Sequence, residues 1–292
     1  MNLLLDEVTR AAARLAEAEV ESPRADAEQI AAHVHGVRRT ELHSVPDTEF
    51  DTRFWDAVAR RAAREPLQHI TGLAYFRYIE LEIGPGVFTP RPETEMMTGW
   101  AIEVLREMDE SAPVVVDLGT GSGAIALSIA LEVPGARVYA VEADPLALAF
   151  AKRNVAAYDN REPHPGRRVT LVAADFTDAL HELDGTVDLV VSNPPYIPLG
   201  AVVPPEVGEY DPPSALWSGD DGLDAIRVVQ RTAYRLLHTG GLAAVEHGAP
   251  QGGAVRGVFA LGGDWQEIAQ HKDLAGRDRF VTMVRQWQDG QP

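Results

Sequence analysis

Apolar residues recur at helical spacing up to about residue 72 and then collect into short, nearly unbroken runs, which predicts a helical segment followed by an alternating α/β segment. Leu3, Leu4, Val8, Ala11, Ala12 and Leu15 share one helix face, and Ile30, Ala31 and Val34 belong to another. Ser22-Pro23 marks a helix start with proline at the first position, and Gly36 marks an end. Residues 51–65 read as a further amphipathic helix, with Phe54, Trp55 and Val58 facing inward and Pro66 closing it. Beyond it, Phe76, Tyr78, Ile79, Leu81 and Ile83 predict a short strand. Gly84-Pro85-Gly86 then turns the chain before Val87-Phe88, giving a hairpin linker.

From Arg91-Pro92-Glu93-Thr94-Glu95, which opens a helix with acidic residues in its first turn, the pattern alternates. Strands are predicted at 114–118, 137–141, 169–173, 187–192, 241–246, 265–271 and 279–285, and helices at 124–131, after the cap Asp144-Pro145, at 223–237 and at 252–261. The loop between the last two strands is too short for a helical crossover, so they form an antiparallel pair at one end of an otherwise parallel sheet. Residues 159–168 and 193–222 read as loops. The chain thus divides into a helical domain, 1–72, a linker, 73–90, and an α/β domain, 91–292.

Candidate chemistry gathers where strands end. Gly119-Thr120-Gly121-Ser122-Gly123 lies between the first large strand and its helix, where glycines let the backbone approach a ligand and expose N–H groups at the helix start. Glu142 ends the next strand about twenty residues on, at the spacing that brings a carboxylate to ribose hydroxyls; an ordinary acidic strand end is the plainer reading. The glycine spacing is shorter than a dinucleotide site prefers, and Asp117 precedes it. That suits a cofactor without pyrophosphate that carries an amino-acid ammonium, as S-adenosylmethionine does. Asp175-Phe176, after the third strand, offers a carboxylate and a ring for adenine.

Asn193-Pro194-Pro195-Tyr196 follows the fourth strand. Two prolines hold the backbone extended and give up their N–H groups, so the Pro194 carbonyl is a fixed acceptor beside the Asn193 amide, with Tyr196 offering a flat face. The arrangement suits a planar NH2, either a carboxamide or the exocyclic amine of a base; the plainer alternative is a proline-rich turn leaving a strand.

The 292 residues, 45% hydrophobic, support a large core, while the net charge of −18 argues against a broad nucleic-acid footprint. No cysteine is present, which excludes disulfides, thiolate metal sites and a cysteine nucleophile. None of the nine histidines has metal-ligand spacing, so no metal is expected. Leu3-Leu4-Leu5 runs directly into Asp6-Glu7, unlike a signal peptide, and no apolar run reaches membrane length; the expectation is a soluble cytoplasmic protein.

The whole chain resembles the release-factor glutamine methyltransferases. The stretches that carry the likeness are residues 66–72 (PLQHITG), 88–95 (FTPRPETE), 117–123 (DLGTGSG) and 193–197 (NPPYI), together with 209–212, 219–224 and Glu246-His247-Gly248 with Gln251. His69 and Phe88 depart from the expected Tyr and Leu. The resemblance implies a Rossmann-like class I methyltransferase with a seven-stranded, mostly parallel sheet and a small N-terminal helical domain joined by a β-hairpin linker. It further implies methyl transfer from S-adenosylmethionine to the side-chain amide nitrogen of the glutamine in the Gly-Gly-Gln motif of class-1 peptide chain release factors, by a monomer.

On that basis Asp117, Gly119, Thr120, Gly121, Ser122, Gly123, Glu142, Asp175, Phe176 and Asn193 are cofactor residues. Asn193, Pro194, Pro195 and Tyr196 hold the substrate, with Asn193, Pro194 and Tyr196 catalytic. Near-attack placement of this kind lowers a barrier by roughly 7–11 kcal/mol in favourable cases. Arg91, Glu93 and Glu95 close the site or brace the linker, and Tyr210 packs its loop. The Arg38-Arg39 and Arg60-Arg61 pairs are candidates for gripping the release factor. Two alternatives stand: a nucleic-acid amino-methyltransferase, which needs a basic groove or target-recognition domain, and a non-catalytic adapter.

Overall fold

The computed structural model describes residues 3–46, 52–108, 110–159, 161 and 168–286. Asp51 at the expected helix start, the side chain of Leu3, and residues 160 and 162–167 of the expected loop lie outside the described residues. The chain divides into two units, one formed by Met1–Leu73, Ile83–Pro85 and Val203–Asp211, the other by Ala74–Glu82, Gly86–Val202 and Pro212–Pro292.

The first unit is built on helices α1 (Leu3–Glu17), α2 (Pro23–His35), α3 (Thr52–Ala62) and α4 (Leu67–Thr71). Leu4, Val8, Ala11 and Leu15 are buried together with Ala27, Ile30 and Ala31 of α2, Phe54 and Val58 of α3, and Ile70 of α4. Each large apolar side chain so enclosed contributes roughly 1.5–3 kcal/mol. Gly36 ends α2 in the left-handed region, φ 64°, and its N–H bonds back to the Ala32 and His33 carbonyls. The arginine pairs read from sequence as grips are already engaged: Arg38 with Glu41, Arg39 with Glu28, Arg60 with Glu65, and Arg61, itself buried, with Asp26 and Glu206. Each guanidinium has a carboxylate within its own unit, and of the four only Arg61 is buried.

In the second unit, β1 (Leu73–Phe76) and β2 (Ile79–Glu82) pair as a two-stranded sheet. This hairpin turns at Arg77-Tyr78, with Arg77 at φ 49°, rather than at Gly84-Pro85-Gly86. Tyr78, expected within the strand, sits in that turn and is exposed. There follow α5 (Thr94–Glu107), β3 (Val114–Leu118), α6 (Ala124–Glu132), β4 (Arg137–Glu142), α7 (Pro145–Asp159), β5 (Val169–Ala173), β6 (Val187–Ser192), α8 (Pro205–Gly208), which belongs to the first unit, α9 (Asp224–Leu236), β7 (Leu237–Glu246), α10 (Gly252–Ala260), β8 (Trp265–Lys272) and β9 (Asp278–Arg285). The helices and strands match the predicted alternation. The expected polar loop after Asn193 additionally contains α8 and a 3₁₀ turn at Pro213–Ala215.

The seven strands lie in the order β5-β4-β3-β6-β7-β9-β8. All pairings from β5 to β7 are parallel, and β9 runs antiparallel to both its neighbours. Every residue of β3 is buried, as a parallel strand covered on both faces requires. The chain leaves β3 first toward β4 and β5, then returns to β6 on the other side. The β3/β6 boundary is therefore the topological switch point, where open α/β sheets bind ligands beyond the carboxyl ends of their strands. Register aligns those ends: Leu118 faces Val141 and Ser192, Glu142 faces Ala173, and Ser192 faces Val245. The Ser192 hydroxyl donates to the Leu118 carbonyl at 2.7 Å and pins the boundary.

Candidate active site

On one side of the switch point lies the glycine turn. Gly119, Gly121 and Gly123 all have positive φ, at 76°, 59° and 87°, a conformation L side chains adopt only with strain. The Gly119 and Thr120 N–H groups donate to the Val141 carbonyl at 3.0 and 2.9 Å, drawing the turn across the end of β4. A Cβ at Gly119 or Gly121 would meet nothing within 4 Å, so the turn borders open space where a ligand could lie against bare backbone. Ser122 and Thr120 are buried; the Ser122 carbonyl accepts from Asn154 Nδ2 at 2.9 Å.

Glu142 joins this turn directly. Its Oε2 accepts the Gly121 N–H at 2.9 Å and its Oε1 the Asp144 N–H at 2.8 Å. Each oxygen retains a second lone pair, which suits a ligand hydroxyl. Burial raises its pKa above the ordinary carboxylate value against those backbone bonds. Asp117 lies beneath the turn with no accessible surface, its Oδ2 accepting from the Thr120 hydroxyl at 2.6 Å and its Oδ1 without a partner. Burial pushes its pKa up to about 7. Enclosed in this way, Asp117 would act on a cofactor ammonium by its charge through the turn.

Asp175 and Phe176 follow β5, whose end is tied to β4 by the Ala174 N–H on the Glu142 carbonyl at 3.2 Å. Asp175 is exposed, and its Oδ1 caps the Thr177 N–H at 2.8 Å. Phe176 packs partly against the sheet core. The pair stands beside the glycine turn but is the most open part of the candidate cofactor cradle.

Across the switch point stands the Asn193 turn. Pro194 is buried, while Asn193, Pro195 and Tyr196 are half-buried. The Asn193 amide donates from Nδ2 to the Thr94 hydroxyl at 3.2 Å, which leaves Oδ1 directed away from Thr94. Tyr196 OH lies 3.4 Å from Glu246 Oε1, and the Tyr196 carbonyl accepts from Gln251 Nε2 at 2.8 Å. Burial, then the Glu246 charge, raise the Tyr196 pKa well above that of a free phenol, so it stays neutral.

Beyond the tyrosine, the chain is strapped to residues 216–219: the Ile197 N–H reaches the Leu216 carbonyl at 2.8 Å and the Leu199 N–H the Gly219 carbonyl at 2.9 Å. Gly222, at φ 76°, passes so close that a Cβ there would lie 2.3 Å from the Tyr196 carbonyl.

Sequence reasoning assigned no role to Thr94, Glu246, Gln251 or Gly222, although each lies in a stretch that carried the family likeness. Glu246 is buried at the end of β7, one residue past the Ser192–Val245 pairing, so register alone places it behind Tyr196. Arg91, Glu93 and Glu95 brace the region: Arg91 lies over the Phe88 ring at 5.0 Å, Glu93 pairs with Arg277 at 3.2 Å, and the Glu95 carbonyl accepts from Arg77 at 3.3 Å. Tyr210 does pack its loop, donating to the Ala63 carbonyl at 3.0 Å within the helical unit.

Comparison with known proteins agrees with this geometry. A family model described as PrmC N-terminal domain matches residues 7–72, and one described as methyltransferase small domain matches 80–203. The release factor glutamine methyltransferase of Streptomyces coelicolor is 57% identical over 284 residues, covering 97% of this chain and 98% of that protein. The 4-amino-L-phenylalanine/4-methylamino-L-phenylalanine methyltransferase of Streptomyces pristinaespiralis is 43% identical over 269 residues, covering 91% of this chain and 88% of that protein. Among solved structures, the hMettl16 catalytic domain shares the fold at a TM-score of 0.55, with 14% identity, over 81% of this chain and 84% of that one.

Proposed function

Since the chain belongs to the release factor glutamine methyltransferase family, we propose that the Asn193 turn holds the side-chain amide of the glutamine in the Gly-Gly-Gln motif of class-1 release factors. The protein is a methyltransferase that uses S-adenosylmethionine and modifies the glutamine amide nitrogen of release factors. Bound S-adenosylmethionine supplies a strongly electrophilic sulfonium methyl. Gly119, Gly121, Thr120, Ser122 and Gly123 would form its cradle through the open backbone of their turn, with Glu142 taking the ribose hydroxyls and Asp175-Phe176 the adenine. Asp117 would contribute negative potential from below.

An amide nitrogen is a weak nucleophile because its lone pair is delocalised into the carbonyl. Asn193 Oδ1 and the Pro194 carbonyl would accept its two N–H bonds, favour pyramidalisation and stabilise the positive charge that develops on it. No strong base is needed, since the nitrogen becomes acidic once substituted and its proton can pass to water. Tyr196, held neutral by burial, serves as a packing face for the glutamine stem rather than as a phenolate base. The observation that carries this reading is the Asn193–Thr94 bond, which leaves Asn193 Oδ1 available beside a proline carbonyl at the switch point.

The helical unit is proposed to hold the release factor outside the glutamine loop, in a monomeric cytoplasmic enzyme; among the described residues no helix is long and apolar enough to cross a membrane. A second reading, methylation of an arylamine, draws on the Streptomyces pristinaespiralis relative, because the same two acceptors fit a planar aromatic NH2. Incubation with labelled S-adenosylmethionine and either a release factor or 4-amino-L-phenylalanine separates the two, and mass spectrometry should find one methyl on the glutamine. Asn193→Ala should lower kcat by roughly 100-fold or more while leaving cofactor affinity within about tenfold. Unchanged turnover removes the assigned role.

A further inference from the structure

We propose that Gln251 is a positioning residue for methyl transfer, fastening the Asn193 turn to two other loops through its side-chain amide; this rests on the reading that the turn holds the substrate NH2. Pro194 and Pro195 have no N–H with which to anchor that turn, and on the same reading the Pro194 carbonyl is given to the substrate. The Tyr196 carbonyl, two residues on, accepts from Gln251 Nε2 at 2.8 Å. The same nitrogen reaches the Asp221 carbonyl at 3.3 Å, and Gln251 Oε1 accepts the Gly248 N–H at 2.9 Å. A carboxamide carries two N–H protons and one oxygen, so both protons and the oxygen are engaged. Each engages backbone from a different loop: after β6, before α9 and after β7.

These bonds settle which way the Gln251 amide faces. Reversed, its oxygen would meet two carbonyl oxygens and its NH2 would meet an N–H. Glycine makes room for the amide on both sides: a Cβ at Gly222 would lie 2.6 Å from Nε2, and one at Gly248 would lie 2.8 Å from Oε1. Gly248 is itself held, since its carbonyl accepts the Gln251 backbone N–H at 2.8 Å and lies 2.8 Å from Nδ1 of the buried His247. The amide thus carries the position of the end of β7 over to the turn after β6. It acts through the Tyr196 peptide, whose rotation would swing the ring proposed to face the glutamine stem and displace the neighbouring Pro194 carbonyl. A misplacement of about 1 Å at a reacting group costs on the order of 100-fold in rate.

Glutamate is the discriminating replacement. It has the same length and keeps an acceptor for the Gly248 N–H, but puts an oxygen where Nε2 donates. Ionised, that oxygen opposes the Tyr196 and Asp221 carbonyls; protonated, its O–H donates to Tyr196 in place of the amide. Facing two carbonyls, such a carboxyl holds its proton above the ordinary glutamate range.

The test compares Gln251→Leu, Gln251→Glu and Asn193→Ala with wild type in the full-length protein, using release factor as substrate. Rates are expressed per S-adenosylmethionine-binding site counted by calorimetry, so that unfolded protein does not enter. Gln251→Leu should lose roughly 10- to 100-fold in kcat, with KM for release factor and cofactor Kd each within about threefold of wild type. Gln251→Glu should match that loss at about pH 8.5, and its kcat relative to wild type should recover as pH is lowered to about 6, where the carboxyl regains its proton. Full activity of Gln251→Leu with Asn193→Ala inactive overturns this proposal and leaves the assigned function standing. A loss carried by KM with kcat intact, or a Gln251→Glu deficit that does not change with pH, overturns it as well. Full activity of Asn193→Ala overturns the assigned function itself.

Discussion

At the scale of single residues, the glycine turn covers a buried carboxyl at a cost in stability. Asp117 is fully enclosed with one oxygen unpartnered, and burial lifts its pKa to about 7 from an ordinary value of 3.8. A carboxyl raised in this way favours the folded state at low pH; the advantage is lost as pH climbs from about 4 through the folded value near 7, where the unfolded chain releases its proton first. Asp117→Asn should therefore raise stability by roughly 1–3 kcal/mol, with a larger gain in denaturant titrations at pH 8 than at pH 5, while weakening cofactor binding. The glycine turn and its closeness to Glu142 were legible because their spacing is local, and the positive φ at Gly119, Gly121 and Gly123 is what glycine adopts without strain. Thr94 was not: the Asn193 amide that donates to its hydroxyl is 99 positions away, and nothing in the helix-opening pattern marks a hydroxyl with so distant a partner.

Elements show the same division between local and non-local signals. Strand and helix periods gave the alternation from Arg91 onward, because buried parallel strands are continuous apolar runs. Periodicity does not encode order, however, so the insertion of β9 between β7 and β8 had no signal beyond the short loop joining them. The hairpin was placed with its turn too late: Arg77 takes up the left-handed φ that a sequence reader assigns to the glycines at 84 and 86. The strap after Tyr196 depends on a close approach that is visible only in three dimensions. Gly222→Ala would put a methyl 2.3 Å from the Tyr196 carbonyl and 2.6 Å from Gln251 Nε2, at a φ that disfavours any side chain. The turn must shift, at a cost of roughly 1–3 kcal/mol in stability. On the roles proposed above, catalysis at the Asn193 turn and cofactor binding at the glycine turn, kcat should fall while cofactor Kd holds, in steady-state kinetics set beside calorimetry.

For the whole molecule, the helical unit includes a segment from far along the chain, Val203–Asp211, and ion pairs tie it in. Glu206 on α8 accepts from Arg64 at 2.6 and 2.7 Å and from Arg61 at 3.0 Å, while Arg61 also bonds Asp26 at 2.8 Å. Burial would raise the Glu206 pKa, yet the Arg64 and Arg61 bonds outweigh it and hold the value below an ordinary glutamate. A depressed carboxylate stabilises above its unfolded value of 4.5 and loses that contribution as pH falls through the lower folded one. Removing one partner of a buried pair leaves the other uncompensated, at roughly 3–5 kcal/mol in fully buried cases and less for the half-exposed Arg64. Glu206→Gln should accordingly lower the thermal midpoint of the helical unit at pH 7, and the gap from wild type should narrow as pH falls below 4.5 and through the lower folded value, where the native glutamate is itself neutralised. A gap independent of pH would mean that the network contributes shape and not charge.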